Sequence, residues 1–421
     1  MKRNAKQHQQ QGAVIVTVAL VLLFLLGFMG IALDFGRLFI VKTELQTAVD
    51  SCALAAAHEL NAEPTAIGRA TSAGLTAGNL NNVNLQSTTW DGQAKLVASE
   101  ITFRDASYTT TTTAKFASYV QCQHTQPNIR LWLLHALGAF SGNAAQYPSM
   151  GTVGAIAVAT RGSAQTTCPV PVALKPKAGG TAPNYGYVSG EWVTLITGQS
   201  VAQGGQIGWA NLDGSSSASQ TVAEMNGSCG TRVGDSLGTP GVQSTVADVW
   251  NYRFGIYKNN PDLTASKTRP DFSGYTYTAQ TWGTGNPFPN AYSGSPGMNA
   301  APDAANFIAK RAAYAACANS LAVCVNRNNL NSGGYKSLAA AGNGTNGHKD
   351  RGTNRRVVTV PVNIGNKVAG FACMFMLQPL QTPPQNVQLE YVGNASAANS
   401  PCATNGLPGG SSGPLVPVLV R

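Results

Sequence analysis

Residues 11–60 read QGAVIVTVALVLLFLLGFMGIALDFGRLFIVKTELQTAVDSCALAAAHEL. Within them, 13–33 is a run of 21 residues without a charged side chain, and 14 of the 21 are Leu, Ile, Val or Phe. At 1.5 Å per residue such a helix covers about 31 Å, matching the roughly 30 Å hydrocarbon core of a bilayer. At about 0.3–0.6 kcal/mol for each large apolar residue, insertion is favoured by on the order of 4–8 kcal/mol. One transmembrane helix over 13–33 is the expectation.

The flanks give it a direction. Lys2, Arg3 and Lys6 precede the run, whereas Asp34, Arg37, Lys42, Glu44 and Asp50 nearly cancel after it. The excess of Lys and Arg on one side places residues 1–12 in the cytoplasm as a basic tail and the rest of the chain outside. A cleaved secretory signal is the rival, with Gly30-Ile31-Ala32 as its small-residue site. The apolar run exceeds the about 7–15 residues of a signal core, and the helical pattern continues through the proposed cut, so the span is expected to stay. Leu38, Val41, Leu45, Ala48, Cys52 and Ala55 then recur at steps of three and four, with no Pro or Gly between Gly36 and Pro64. That spacing predicts helix to about Leu60, a rod about 70 Å long with 34–60 as a stalk. Its apolar seam lasts under three heptads and suits packing on the chain's own outer domain or on a partner helix equally.

Several motifs in this stretch fall in a family's order. Gln11-Gly12-Ala13-Val14, Leu33-Asp-Phe-Gly-Arg37-Leu-Phe39 and Thr43-Glu-Leu-Gln-Thr-Ala-Val-Asp50-Ser-Cys-Ala-Leu-Ala-Ala-Ala57 together resemble the N-terminal segment of the Flp (tight-adherence) pilus-assembly TadE/TadG-like family. A looser likeness extends to Leu134-His-Ala-Leu-Gly138 and Ala155-Ile-Ala-Val-Ala159, where such proteins often carry a short apolar helix and then a strand. The resemblance implies an inner-membrane or pilus-associated part of a bacterial adhesion apparatus, with its bulk periplasmic. Other pilus-assembly or pseudopilin components would be its partners. Prepilins are cut after a Gly and need a Glu five residues later; here the residue five after Gly12 is Thr17. The missing carboxylate argues against prepilin-peptidase processing.

The remaining composition agrees with an exported protein. Charged residues are 11% of 421, against about 25% in an average soluble domain. The net charge is +10, and residues 1–60 account for only one unit of it, five basic against four acidic side chains. The basic outer part would tolerate anionic envelope glycans as partners. Its one dense basic run, Lys349-Asp350-Arg351 to Arg355-Arg356, is expected to be a solvated loop, and no nucleic-acid partner is expected. None of the eight cysteines lies in the span, and no CxxC or Cys/His pair has zinc spacing, so disulfides in an oxidising compartment are expected. Seven lie beyond residue 60, an odd number, so at least one is free or joined to Cys52 or another chain. Cys317 and Cys324 are the pair expected to lie close, and Cys373, in an apolar run, is expected as a buried free thiol.

The fold class expected is α+β: the long transmembrane helix and its stalk, then β-rich exported domains. A small α+β unit is placed at 61–165 and a β-rich domain at 166–421, divided by the Pro-, Gly- and Lys-rich stretch 168–183. In the first, a helix is expected between Pro64 and Asn79, strands near 95–104 and 114–122, an apolar helix at 129–140 and a buried strand at 152–160. In the second, strands are expected at 192–196, 206–212, 357–362, 368–377 and 387–392, the last three as an antiparallel meander. A helix is expected at 303–321, and 284–299 and 333–354 as surface excursions.

Chemistry is sparse. Asp213-Gly-Ser215-Ser-Ser217 matches the DxSxS pattern by which von Willebrand A-type domains hold a divalent ion, but the alternating strands and helices of that fold do not follow it. A Ser-rich turn is the favoured reading. His8, His58, His124, His135 and His348 show no zinc-binding spacing. His124 beside Cys122 has the residue types of a base and nucleophile, yet a surface histidine beside a structural cysteine is the favoured reading. No Walker A or GxGxxG loop stands in a strand-to-helix context. Four tryptophans (Trp192, Trp209, Trp250, Trp282) and seven tyrosines fall within 185–292. Exposed, such rings would stack on sugars; buried, they would build a β-rich core. No catalytic residue, metal or cofactor is expected. The function expected is a membrane-anchored structural component of Flp pilus assembly, with an envelope-anchored adhesin or glycan-binding module as the alternative and an anchored hydrolase third.

Overall fold

The computed structural model describes residues 11–141, 147–197, 202–227, 229–240, 246–254, 256–258, 331–332, 335–337, 356–377, 380, 386–402, 404 and 406–420. The fold is α+β, a long apolar N-terminal helix followed by strand-rich sheets. It divides into two compact units. One comprises the chain up to Arg161 together with the last residues from Pro417, and the other runs from Gly162 to Val416.

Helix α1, Gln11–His58, runs unbroken for 48 residues. Its end tightens: the amides of Glu59 and Leu60 donate three residues back, to the carbonyls of Ala56 and Ala57, and Ala62 then takes a positive φ of 62° before Pro64. Helix α2, Ala66–Asn79, returns along it. The close approach needs glycine. A Cβ on Gly74 would lie 3.2 Å from the Cys52 carbonyl oxygen, and one on Gly78 would lie 2.6 Å from Leu96 and 3.1 Å from the Cys52 Cβ.

Strands β1 (Ile101–Arg104), β2 (Tyr119–Arg130) and β3 (Met150–Ser163) form an antiparallel sheet in that order, with helix α3 (Trp132–Ser141) between β2 and β3. The chain's last strand, Leu415–Leu419, follows β3 in the sheet, and Val420 donates to the Val158 carbonyl. The sheet buries one face against α1. Val41, Leu45, Ala48, Val49, Cys52, Ala53, Ala56 and Ala57 are fully buried there, with Trp90, Val120, Cys122, Ile129 and Ala157 opposite. The periodic seam on α1 therefore packs on its own domain, and this core draws on 41–60 and 66–159 alike.

β2 continues eight residues past Cys122, where the sequence pattern stops. Its inward positions there include His124 and Gln126, so alternation persists in burial but not in hydrophobicity. For the same reason the apolar helix starts at Trp132 and not at Ile129, which completes the strand.

In the second unit, β4 (Val172–Leu174), β5 (Glu191–Ile196) and β6 (Ile207–Trp209) are followed by helices α4 (Ala218–Met225) and α5 (Val246–Tyr252). A small antiparallel sheet holds β7 (Ile256–Lys258), β8 (Asn331–Ser332) and β9 (Tyr335–Ser337), with β9 in the middle. Then come β10 (Val357–Ile364), β11 (Lys367–Met376) and β12 (Val387–Asn394), the antiparallel meander expected; β13 is the Leu415–Leu419 strand already placed beside β3. Six strands close a barrel in the order β10, β11, β12, β5, β6, β4; its two parallel pairs are β5 with β6 and β4 with β10. Period-2 alternation sorts β11. Ala372, Met374 and Met376 join the interior cluster with Val360, Leu389 and Trp250, while Phe371, Cys373, Phe375 and Leu377 join a second cluster with Cys402.

The cysteines bring one correction. Cys52 is bonded to Cys122, Cys168 to Cys229 and Cys373 to Cys402. Cys373 is buried as expected but not free. A strand covered on both faces makes any thiol on it look like core, and its partner arrives from a Ser- and Asn-rich tail with no pattern to announce it. Arg356 brings another: expected in a solvated loop, it is fully buried, its guanidinium about 5 Å from the rings of Phe254 and Phe375 (4.9 and 5.0 Å). Cys317, Cys324, the helix at 303–321 and the excursion at 284–299 lie outside the described residues. Of 333–354 only β9 is described.

Candidate functional site

The candidate site is α1 itself, where two environments meet on one helix. From Val14 to Met29 its large side chains stand open, Leu20 at 64% and Phe24 at 66%. This helix is long and apolar enough to cross a membrane, with a window of mean hydropathy 2.9. The character changes at Gly30, and from Asp34 onward several polar side chains of α1 are engaged by the rest of the first unit.

Asp34 accepts a hydrogen bond from the Leu134 amide at 2.6 Å, satisfying a first-turn donor of α3 that the helix cannot satisfy internally. Arg37 donates to the Arg130 carbonyl (3.4 Å) and to Asn84 Oδ1 (3.3 Å), and its guanidinium lies 5.2 Å from the Trp132 ring. Lys42 donates to the Gly154 carbonyl at 2.8 Å, and Gln46 to the Ile156 carbonyl at 2.9 Å, both on β3. Glu44 accepts from the amides of Leu85 (2.9 Å) and Gln86 (3.0 Å) and from Gln86 Nε2 (2.9 Å). That carboxylate has a specific task. Asn84, Leu85 and Gln86 all hold positive φ, a conformation costing roughly 1–2 kcal/mol per L-residue, and Glu44 secures the amides it presents. Cys52 then ties α1 covalently to β2.

At the end of α1, Arg69 of α2 clamps Glu59 at 2.9 Å and also reaches Glu63 (3.4 Å) and Asn61 (2.8 Å). Burial works to raise the Glu59 pKa. The hydrogen bonds and charges of Arg69 and His58 outweigh it and hold the carboxyl below its ordinary value of 4.5. Arg161, donating to the Leu60 carbonyl at 2.7 Å, has its pKa lowered by burial, against the pull of Glu59.

Cys122 forms a disulfide, the structural cysteine expected, so it is not the thiolate nucleophile of the hydrolase reading; His124 is not at the surface but buried at an inward position of β2, where it bonds Glu100 at 2.9 Å and packs edge-on against Trp90. Asp213, Ser215 and Ser217 lie in a turn after β6 of the barrel. Asp213 accepts from the Ser215 amide (2.9 Å), Asn211 donates to Ser215 Oγ (3.1 Å), and Ser217 precedes α4. Below them Glu224 accepts from the amides of Leu212 and Asp213; burial raises its pKa, and those bonds offset part of the rise. Among the described residues no group of three or more His, Cys, Asp or Glu is placed to hold a metal ion. Trp192, Trp209, Trp250, Tyr185 and Tyr187 are buried, Trp250 completely, so these rings form core and not a sugar-stacking face. Trp282, His8 and His348 lie outside the described residues.

The sequence did not announce the roles of Asp34, Arg37 and Glu44, because their partners lie 41 to 100 residues away. The signal that was present is the motif itself. No curated protein and no solved structure matches the chain. Residues 12–59 match the Tad family model, Flp pilus-assembly TadE/G-like, so the segment that is both the apolar span and the clamp on the first unit is a TadE/G-like segment.

Proposed function

We propose that the chain is a single-pass, non-catalytic structural component of Flp pilus assembly, anchored in a bacterial inner membrane with residues 1–12 in the cytoplasm and the bulk in the periplasm. The observation that carries this is the coincidence of the family match over 12–59 with the helix that joins an exposed apolar span to a domain core. A free stalk would leave its small-residue stripe for a partner; here Ala48, Cys52 and Ala56 are already covered, so that stripe is not the surface a partner would take. The basic residues ahead of the span and the three disulfides among the described residues beyond it both fit a periplasmic bulk. Thr17, where prepilin processing would want Glu, fits an anchor that is retained. The glycan-binding alternative loses its main support with the burial of Trp192, Trp209 and Trp250.

Deletion of the gene, with surface pili counted by electron microscopy and adherence scored, tests the proposal. Loss of pili or adherence, restored by the full chain, is expected. Normal piliation and adherence in the deletion strain would overturn it.

A further inference from the structure

We propose that α3 is a second membrane-inserted element, which lies in the outer leaflet beside α1 and makes the span a two-helix wedge at the exported surface. The inference rests on the reading of α1 as a bilayer span.

Helix α3 lies against the part of α1 whose side chains are otherwise open. A Cβ on Gly30 would lie 3.0 Å from Leu133, and one on Gly27 would lie 3.8 Å from Leu137. As α3 advances by four residues its contact on α1 retreats by three, so the two helices run in opposite directions. Gly27 is seven residues before Asp34, about 10 Å along the axis, so α3 descends to that depth if 13–33 occupies the hydrocarbon. Its outward surface is mostly apolar: Trp132 is 65% exposed and Leu133 42% exposed, Ala136 is exposed beside them, and His135 is the exposed polar side chain of this face. Leu33, Phe35 and Met150 extend the same apolar collar. No Asp, Glu, Lys or Arg occurs from Leu131 to Thr160.

The polar features sit where an interface would put them. The Asp34 carboxylate takes up the Leu134 amide at the start of α3, where an unsatisfied donor facing lipid would cost several kcal/mol. Trp132, stacked with Arg37, has the amphipathic character of residues found at headgroup level. The occupant of this collar is therefore lipid: it is continuous with the exposed apolar surface of α1, and a soluble partner would have to compete with the bilayer for it.

The test uses the full chain in vesicles of phosphatidylethanolamine with a minor share of phosphatidylglycerol. A polarity-sensitive fluorescent amino acid is placed singly at position 136, at position 20 in the span and at position 80 as an aqueous reference. Lipids carrying a nitroxide near the headgroup end of the acyl chain should quench position 136 several-fold more than iodide does. Nitroxides at mid-chain should quench position 20, and iodide should quench position 80. Quenching of 136 by iodide alone, with 20 still quenched by lipid, would overturn the wedge and leave the anchor standing. Iodide quenching at 20 would overturn both. Shielding of 136 from both quenchers, with self-quenching that grows with protein density, would replace lipid by a second copy and overturn the proposal. Should substitution at 136 prevent folding, judged by loss of the Cys52–Cys122 bond on a non-reducing gel, position 132 carries the probe with the same outcomes expected.

Discussion

The two halves of α1 are built from apolar residues in one unbroken helix, yet they meet different surroundings. Leu20 is 64% exposed and Leu45 is fully buried. What separates them is pattern and volume, not hydrophobicity. The first half is Leu, Val, Ile and Phe on every side, leaving no polar face to turn toward water. The second half confines its apolar residues to one stripe, narrows that stripe to Ala and Cys where α2 approaches, and sets Lys42, Glu44 and Gln46 elsewhere to hold strands and loops. One element can thus serve a bilayer and a domain core because its side chains change in size and periodicity near Gly30.

Substitutions that confuse the halves should have the largest effects. Ala56→Asp puts a carboxylate into the interior of the first unit and is expected to destabilise it by about 3–5 kcal/mol, read as a lower urea midpoint for the full chain in micelles, with membrane attachment intact. Replacing Cys52 and Cys122 together by Ala removes a cross-link of sequence separation 70 and should cost roughly 4 kcal/mol by the same measurement. Leu22→Asp is the mirror experiment. It should reduce insertion by about 3 kcal/mol and increase the carbonate-extractable fraction, while the urea midpoint in micelles stays put.

The smallest effect concerns pH. The Glu59 pKa is lowered in the folded chain, so its contribution is fully present above the ordinary carboxylate value and is lost as pH falls through the lowered one. Glu59 is partly exposed, and solvent screening limits this to a few tenths, about 0.3–0.5 kcal/mol. Glu59→Gln should therefore lower stability by that amount near pH 7 and leave it unchanged in strong acid. An equal loss at both pH values would assign the effect to packing.

How much was legible follows from how local each signal is. The long helix announced itself because composition and period both act within a few residues, and the meander of β10, β11 and β12 did so because each strand is at least eight residues long. Closure of the barrel was hidden. β4 and β6 have three residues each, too few to show a period, and their neighbours are set by distant chain. β2 was half hidden by His124 and Gln126, polar side chains at inward positions. At the site, the residues on α1 were visible as a motif but their tasks were not. A carboxylate that will cap α3 looks the same in sequence as one that will face solvent.

The central claim is that 13–33 crosses the inner membrane and everything after it folds outside. Protease added to intact spheroplasts, with one tag ahead of residue 11 and another after residue 421, tests it most directly. The account predicts that the C-terminal tag is lost, the N-terminal tag survives on a short fragment, and the fragment stays in the membrane after carbonate extraction. Survival of the C-terminal tag, or release of the N-terminal fragment by carbonate, would contradict it.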